Sequence, residues 1–261
     1  MTIMNDDSIT LSAEDISIAF DAVIALDGVT LQVETGEIAG LIGPNGSGKT
    51  TLFNCVCGYY MPSRGRVRLH TREITRLVPH RTARLGIGRT FQSPNLFADL
   101  TVLENVCLAA ESMAIGGSVL RGLRPRRGVK SRELALGLLE EVGIAAYSDA
   151  HPLEIPVGIA KLADLARALA LKPRLLLLDE PAAGLNDAER QRLAALLNKL
   201  NTRDGLTMLV VDHNMGFVMS LCRHLTVLAS GKVISTGDPE AVRMDPAVVQ
   251  AYLGGDAHAG A

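Results

Sequence analysis

The chain has 261 residues and a formal net charge of −2. That length fits one large domain, or a domain carrying an inserted subdomain, with ample chain for a buried core. The near-neutral charge argues against a protein that coats nucleic acid. No run reaches the ~18 consecutive apolar residues of a membrane span. The start, MTIMNDDSIT, lacks the basic and apolar stretches of a secretory signal.

Residues 1–14 read as a flexible leader. Short strands are predicted at Ile16 to Phe20, Thr30 to Val33, Ile38 to Ile42 and Arg66 to His70, with Gly and Pro between them. A helix should follow Gly48, and a strand should span Gly88 to Phe91. From Thr101 to Ala170 the pattern is helical, with Leu134, Leu138 and Val142 forming one apolar stripe. Within this region RGLRPRRGVKSR, residues 121–132, carries six cations and no acid. It reads as a solvated loop, with weak attraction to an anionic membrane surface as the alternative.

After Pro173 strands and helices alternate again: a strand at Leu175 to Leu178, a helix from Asp187, a strand at Met208 to Val211 and a helix from Asn214. Asn186 can cap the helix from Asp187, with Glu189 at the reciprocal position, and Leu193, Leu196, Leu197 and Leu200 should form its buried face. The pattern is an α/β core interrupted by a helical subdomain. Cys55, Cys57, Cys107 and Cys222 do not have the spacing of a redox or zinc pair and read as small buried residues.

GPNGSGKT, Gly43 to Thr50, fits the phosphate-loop pattern in full, after an apolar strand and before a helix-compatible run. Gly43, Gly46 and Gly48 let successive backbone N–H groups face one anion, and Pro44, Asn45, Ser47 and Thr51 complete the cradle. Lys49 should reach the β- and γ-phosphates, and the Thr50 hydroxyl should meet Mg²⁺. RLLLLDEP then places Asp179 and Glu180 at the end of a leucine strand, where α/β sheets bind ligands. Asp179 is the candidate for holding Mg²⁺ and Glu180 for polarising the attacking water. His213, after Val210, Val211 and Asp212, ends a second strand and could touch the γ-phosphate. Gln92, in TFQSPNLF, offers an amide to both the Mg²⁺ shell and the attacking water.

In this order the motifs resemble the ATP-binding-cassette (ABC) transporter ATPases. The resemblance implies a P-loop NTPase core, RecA-like, with a mixed sheet and an antiparallel β subdomain. The core would comprise residues 15–92 and 172–261, and an inserted α-helical subdomain residues 93–171. It also implies that Gln92 sits at the hinge between the two. Phe20 falls where the family places an aromatic that stacks on adenine; a core residue is the alternative there. LIGPNGSGKTTLFNCVCGYY, GIGRTFQSPNLF, LTVLENV, DEPAAGLN and the tail TGDPEAVRMDPAVVQAYLGG are similar to the ATPases of branched-chain amino acid importers.

One departure stands out. The family's signature loop reads approximately Leu-Ser-x-Gly-Gln before a helix carrying Ala-Arg-Ala-Leu. Aligned on Ala166 to Leu169, the loop here is Ile155, Pro156, Val157, Gly158 and Ile159. In the family the serine hydroxyl contacts the ATP held by the opposite subunit. Pro156 has neither a hydroxyl nor an N–H. A charge-assisted hydrogen bond is worth ~1.5–3 kcal/mol, so this half-site reads as weakened by roughly ten- to a hundred-fold.

The resemblance implies ATP and Mg²⁺ as ligands and a second, non-identical cassette forming a nucleotide sandwich. It further implies two permease subunits, indirectly a solute-binding protein, and a place on the cytoplasmic face of the inner membrane. The alternatives are a cassette for urea, amides or aromatic acids, a lipid exporter, or a regulatory subunit with little turnover.

Overall fold

The computed structural model describes residues 8–114 and 126–255. Strands β1 (Ile9–Phe20) and β2 (Val23–Glu34) form a long antiparallel hairpin. After β3 (Ile38–Ile42) and helix α1 (Lys49–Cys57) come β4 (Arg64–Leu69) and the short β5 (Arg72–Glu73), which extend the hairpin into a four-stranded sheet of order β2-β1-β4-β5. Helix α2 (Pro79–Arg84) leads into β6 (Ile87–Arg89). Helices α3 (Val102–Ala114), α4 (Arg126–Glu141) and α5 (Val157–Ala170) make the inserted helical layer. The chain then alternates through β7 (Leu175–Asp179), α6 (Asp187–Asp204), β8 (Thr207–Val211) and α7 (Met215–Leu221). It ends with β9 (His224–Ala229), β10 (Lys232–Gly237), α8 (Pro239–Met244) and α9 (Pro246–Gly255).

The second sheet has six strands in the order β10-β9-β3-β8-β7-β6, parallel except for the antiparallel β10 at its edge. This is the mixed sheet with an antiparallel companion that the family resemblance implies. Strands β3, β7 and β8 are buried at every position, as parallel strands covered on both faces require. One apolar cluster joins this sheet to α3, α4, α5 and α6, and a second packs α1 between the two sheets.

Several sequence expectations need correction. Residues 9–14 are not leader: Ile9, Leu11 and Ala13 alternate into the core of β1, and Thr10 is buried with its hydroxyl bonded to Thr35 and Thr207. Strand β2 begins at Val23, not Thr30, because a register shift between the Ile16–Val29 and Ile18–Leu26 pairs accommodates Asp27 and Gly28 as a bulge in β2. In the basic segment, residues 121–125 lie outside the described residues, and Arg126 to Arg132 open α4 instead of continuing a loop. The buried face of α4 is Ser131, Ala135 and Leu139, one position over from Leu134 and Leu138, which are half-buried; Val142, just past the end of the helix, is buried as the stripe predicts. The α6 face is as expected, with Leu193, Leu197 and Leu200 buried and Leu196 half-buried.

Candidate functional site

Parallel register brings the chemistry to one edge. Asp179 lies opposite Val211, and Val211 opposite Leu41, so β3, β7 and β8 deliver their C-terminal ends side by side. The phosphate loop, Glu180 and His213 leave from those ends, at the edge where α/β sheets bind ligands.

The loop from Gly43 to Gly48 is shaped by backbone constraints that exclude side chains. At Gly43, with φ 147°, an added Cβ would lie 2.0 Å from the Leu228 carbonyl oxygen. At Gly48, with φ 105°, it would lie 2.6 Å from the Ala25 oxygen. Gly231 N–H donates to the Ser47 carbonyl at 3.1 Å and ties the loop to the β9–β10 turn. Helix α1 begins directly after Gly48 with no side-chain cap and no acidic residue in its first turn. Its N-terminal N–H groups and positive dipole end are therefore left for an anion.

Lys49 Nζ arches back over the loop, donating to the Gly43 and Pro44 carbonyls at 2.8 Å each and to Ser47 Oγ at 3.3 Å. Burial pushes its ammonium below the usual lysine range, while Glu180 and Asp179 act in the opposite sense. Thr50 is exposed on the first turn of α1 and Thr51 is half-buried; Asn45 and Gly46 are exposed at the loop tip.

Across the gap, Gln92 Nε2 donates to Glu180 Oε2 at 2.9 Å, and His213 Nδ1 lies 3.8 Å from the same oxygen. Gln92, Glu180 and His213 thus form one cluster, although they are far apart in sequence. Glu180 occupies a left-handed turn, φ 48°, with its N–H bonded to Val211 O at 2.7 Å. Asp212 shapes the two turns: its carboxylate accepts from Ala182 N–H and Asn214 N–H, each at 2.9 Å.

Thr50 Oγ1, the Gln92 amide oxygen and the Asp179 carboxylate are the oxygen donors the motifs offer to a metal, each on a segment beside the C-terminal strand ends. No cluster of three metal-binding side chains occurs among the described residues. A sparse, hard donor set suits Mg²⁺, which is usually held by one or two carboxylates together with substrate phosphates.

Phe20 is 41% exposed and meets Tyr60 edge-on, with ring centroids 5.0 Å apart, so it is not a core residue. Pro156 is the N-cap of α5, which has neither a side-chain cap nor an acid in its first turn. Val157 is exposed, and Ile159 packs against the main core. A Cβ on Gly158 would sit 3.2 Å from Leu185, so the signature helix starts close against the turn after Glu180.

Three charged residues that the motif reading passed over hold the site together. Lys161 Nζ reaches the Glu180 carbonyl at 2.6 Å. Asp164, buried within α5, accepts from Phe91 N–H at 3.0 Å and pairs with Arg167, which also donates to Asn95 O. Helix α5 therefore grips both ends of the glutamine loop. Arg89 pairs with Asp179 at 2.8 Å. Asp164 gave a faint signal, as an acid amid the buried Ala163, Leu165 and Ala166; Arg89 and Lys161 gave none.

The fold and the loop define a P-loop nucleotide-binding protein. The profile of the ABC transporter family matches residues 26–183, and the profile described as "Branched-chain amino acid ATP-binding cassette transporter" matches residues 232–258. The chain is 38% identical to the high-affinity branched-chain amino acid transport ATP-binding protein BraF of Pseudomonas aeruginosa, over 94% of this chain and 97% of that protein. It is 34% identical to the lipopolysaccharide export system ATP-binding protein LptB of Acidithiobacillus ferridurans, over 94% and 96%. Among solved structures, the ABC transporter cassette MJ1267 superposes with a TM-score of 0.82 at 32% identity, over 94% of this chain and 98% of that one. The cassette MJ0796, solved as a dimer in a post-hydrolysis state with ADP and Pi, gives 0.77 at 26% identity, over 88% and 98%. This chain belongs to the ABC transporter family, as one of its ATPase cassettes.

Proposed function

We propose that this chain hydrolyses ATP to drive import of branched-chain amino acids or related small polar solutes. It would do so as a peripheral subunit on the cytoplasmic face of the inner membrane. The observation that carries the substrate class is the tail. Strand β10 and helices α8 and α9 fall within the 232–258 match to the branched-chain profile, which the general cassette motifs do not require. No helix among the described residues is long and apolar enough to cross a membrane, and membrane-spanning permease subunits are the partners this reading gives the chain.

In this reading the loop from Gly43 to Thr51 cradles the phosphates. Lys49 exchanges its loop carbonyls for phosphate oxygens, and Phe20 stacks on the base. Mg²⁺, held by Thr50, Gln92 and Asp179, would neutralise charge that develops on the transferred phosphoryl group. Glu180 orients and deprotonates the attacking water, Gln92 fixes the carboxylate, and His213 contacts the γ-phosphate. Pro156, Val157, Gly158 and Ile159 face the ATP of a second, non-identical cassette across a nucleotide sandwich. The half-site they complete keeps a helix N-terminus and lacks a hydroxyl. Residues 93–171 act as the helical subdomain, inserted in the ATP-binding core of residues 15–92 and 172–261, which β1 extends back to Ile9. A cavity of about 280 Å³ at its junction with the core, lined by Tyr59, Phe91, Phe97 and Leu108, offers an apolar seat for a permease segment. A binding protein would deliver solute on the far side.

The test is transport by the complex encoded with this chain, reconstituted in vesicles with its binding protein. ATP-dependent uptake of labelled leucine or valine is the expected result. Uptake restricted to urea, amides or aromatic acids would move the substrate class, and ATP-driven extraction of lipid would overturn the reading.

A further inference from the structure

Arg89 ends β6 with its side chain only 8% exposed. Its Nη2 donates to Asp179 Oδ2 at 2.8 Å and its Nη1 to Asn54 Oδ1 at 2.7 Å, Asn54 lying on the phosphate-loop helix. The rings of Phe91, Phe53 and Tyr59 surround the guanidinium, with centroids 4.9, 5.7 and 5.9 Å away. Asp179 is itself 6% exposed. An apolar side chain would fill this aromatic niche without desolvating a cation, a step that only close pairing offsets. The charge of Arg89 therefore calls for an explanation in terms of Asp179.

Asp179 ends β7 beside Glu180, whose carboxylate accepts from Gln92 Nε2, and the Asp212 carboxylate at the next strand end accepts from two backbone N–H groups. Asp179 is the one of the three paired with a cationic side chain at close range, and without that pair its hard carboxylate oxygens would draw a free divalent cation. We propose that Arg89 is a positioning residue acting as the resident counter-charge of Asp179: it fixes one carboxylate oxygen and repels free Mg²⁺, so that the metal enters only together with nucleotide. The proposal rests on the reading of Asp179 as the metal-holding carboxylate. The triphosphate supplies the negative charge that outweighs Arg89, whereas Mg²⁺ alone meets a carboxylate already neutralised. The aromatic rings and Asn54 hold the guanidinium so that it cannot swing away.

The experiment titrates MgCl₂ alone, at constant ionic strength and without nucleotide, into the full-length chain. Binding is read by calorimetry and by the shift in thermal unfolding. The native chain should bind Mg²⁺ weakly. Arg89→Met keeps the apolar bulk and removes the charge, and should bind Mg²⁺ at least about tenfold more tightly, from the loss of a unit charge beside the metal-binding carboxylate. Arg89→Lys keeps a cation there and should remain close to native. Equal Mg²⁺ affinity in the native and Met chains, or a Lys chain that behaves like Met, would overturn the proposal. Should Arg89→Met be unfolded without metal, the same titration reads refolding. Recovery with Mg²⁺ but not with Na⁺ of equal ionic strength supports the counter-charge, and no recovery overturns it. Asp179→Asn separates the two claims. If Mg²⁺ still strengthens ATP binding in that variant as in the native chain, the metal assignment itself fails. If that strengthening is lost while Arg89→Met gains no Mg²⁺ affinity, only the role of Arg89 fails.

Discussion

On the proposed reading, the phosphate loop and the signature loop solve the same physical problem with different materials. Each presents the N-terminus of a helix, α1 after Gly48 and α5 after Pro156, and neither helix has a side-chain cap or an acid in its first turn. Both leave N–H groups and a positive dipole end for an anion. The phosphate loop adds Ser47, Lys49 and Thr50, whereas the signature loop adds Pro156, Val157 and Ile159. The backbone contribution is present in both, and the side-chain contribution in one. A binding function carried by backbone can thus outlast substitutions that would remove one carried by side chains.

The largest test of this contrast is Glu180→Gln, which keeps the phosphate loop and removes the carboxylate beside it. General-base catalysis contributes ~10²–10⁴-fold, so single-turnover hydrolysis in the assembled transporter should fall by about that factor while ATP binding persists. A native rate would show that the base lies elsewhere. Next in size is Lys49→Ala, which removes from the phosphate loop the cation that the signature loop also lacks. Loss of its charge-assisted bonds should weaken Mg²⁺-ATP affinity about 100-fold in a folded chain. Unchanged affinity in a nucleotide-binding assay would break the assignment.

Pro156→Ser moves the signature loop the other way, restoring a hydroxyl and a helix cap. With the chain's own site silenced by Lys49→Ala, ATPase of the full complex should rise roughly tenfold and by no more than ~100-fold. A flat response in a normally assembled complex would mean that Pro156 does not face the partner's nucleotide. The smallest effect comes from a helix whose N-terminus is closed. Asn186 caps α6 with a reciprocal bond pair to Glu189, each at 2.9 Å. Asn186→Ala should lower unfolding stability by about 1 kcal/mol and leave nucleotide affinity unchanged. A change in affinity would blur the division between capped helices that serve the fold and open ones that serve the ligand.

What could be read from the sequence was what short stretches encode by themselves. The phosphate loop, the Asp179-Glu180 strand end and the Asn186 cap each need fewer than about ten residues of context. Strand β2 was foreshortened because Asp27 and Gly28 look like a stop, and only the pairing with β1 lets a strand run through them. The buried face of α4 was misplaced because Ser131 and Ala135, small enough to sit against α3, carry less hydrophobic signal than Leu134 and Leu138. Arg89 and Lys161 are illegible, and Asp164 only faintly legible, for a third reason. Their partners Asp179, Glu180 and Phe91 lie 90, 19 and 73 residues away, so a charged side chain read alone defaults to the surface.

Glu180 also bears on how such a chain would age. Its backbone sits at φ 48°, where an L-residue with a full side chain costs roughly 1–2 kcal/mol and glycine or asparagine costs little. Glutamate is thus held at this turn against the preference of the backbone. In a lineage released from the need to hydrolyse ATP, drift at position 180 towards glycine or asparagine would relieve the backbone, and on the proposed role of Glu180 as the base each such replacement would also lower turnover. On that proposal, a backbone-relieving change at this position would mark a cassette no longer selected for hydrolysis.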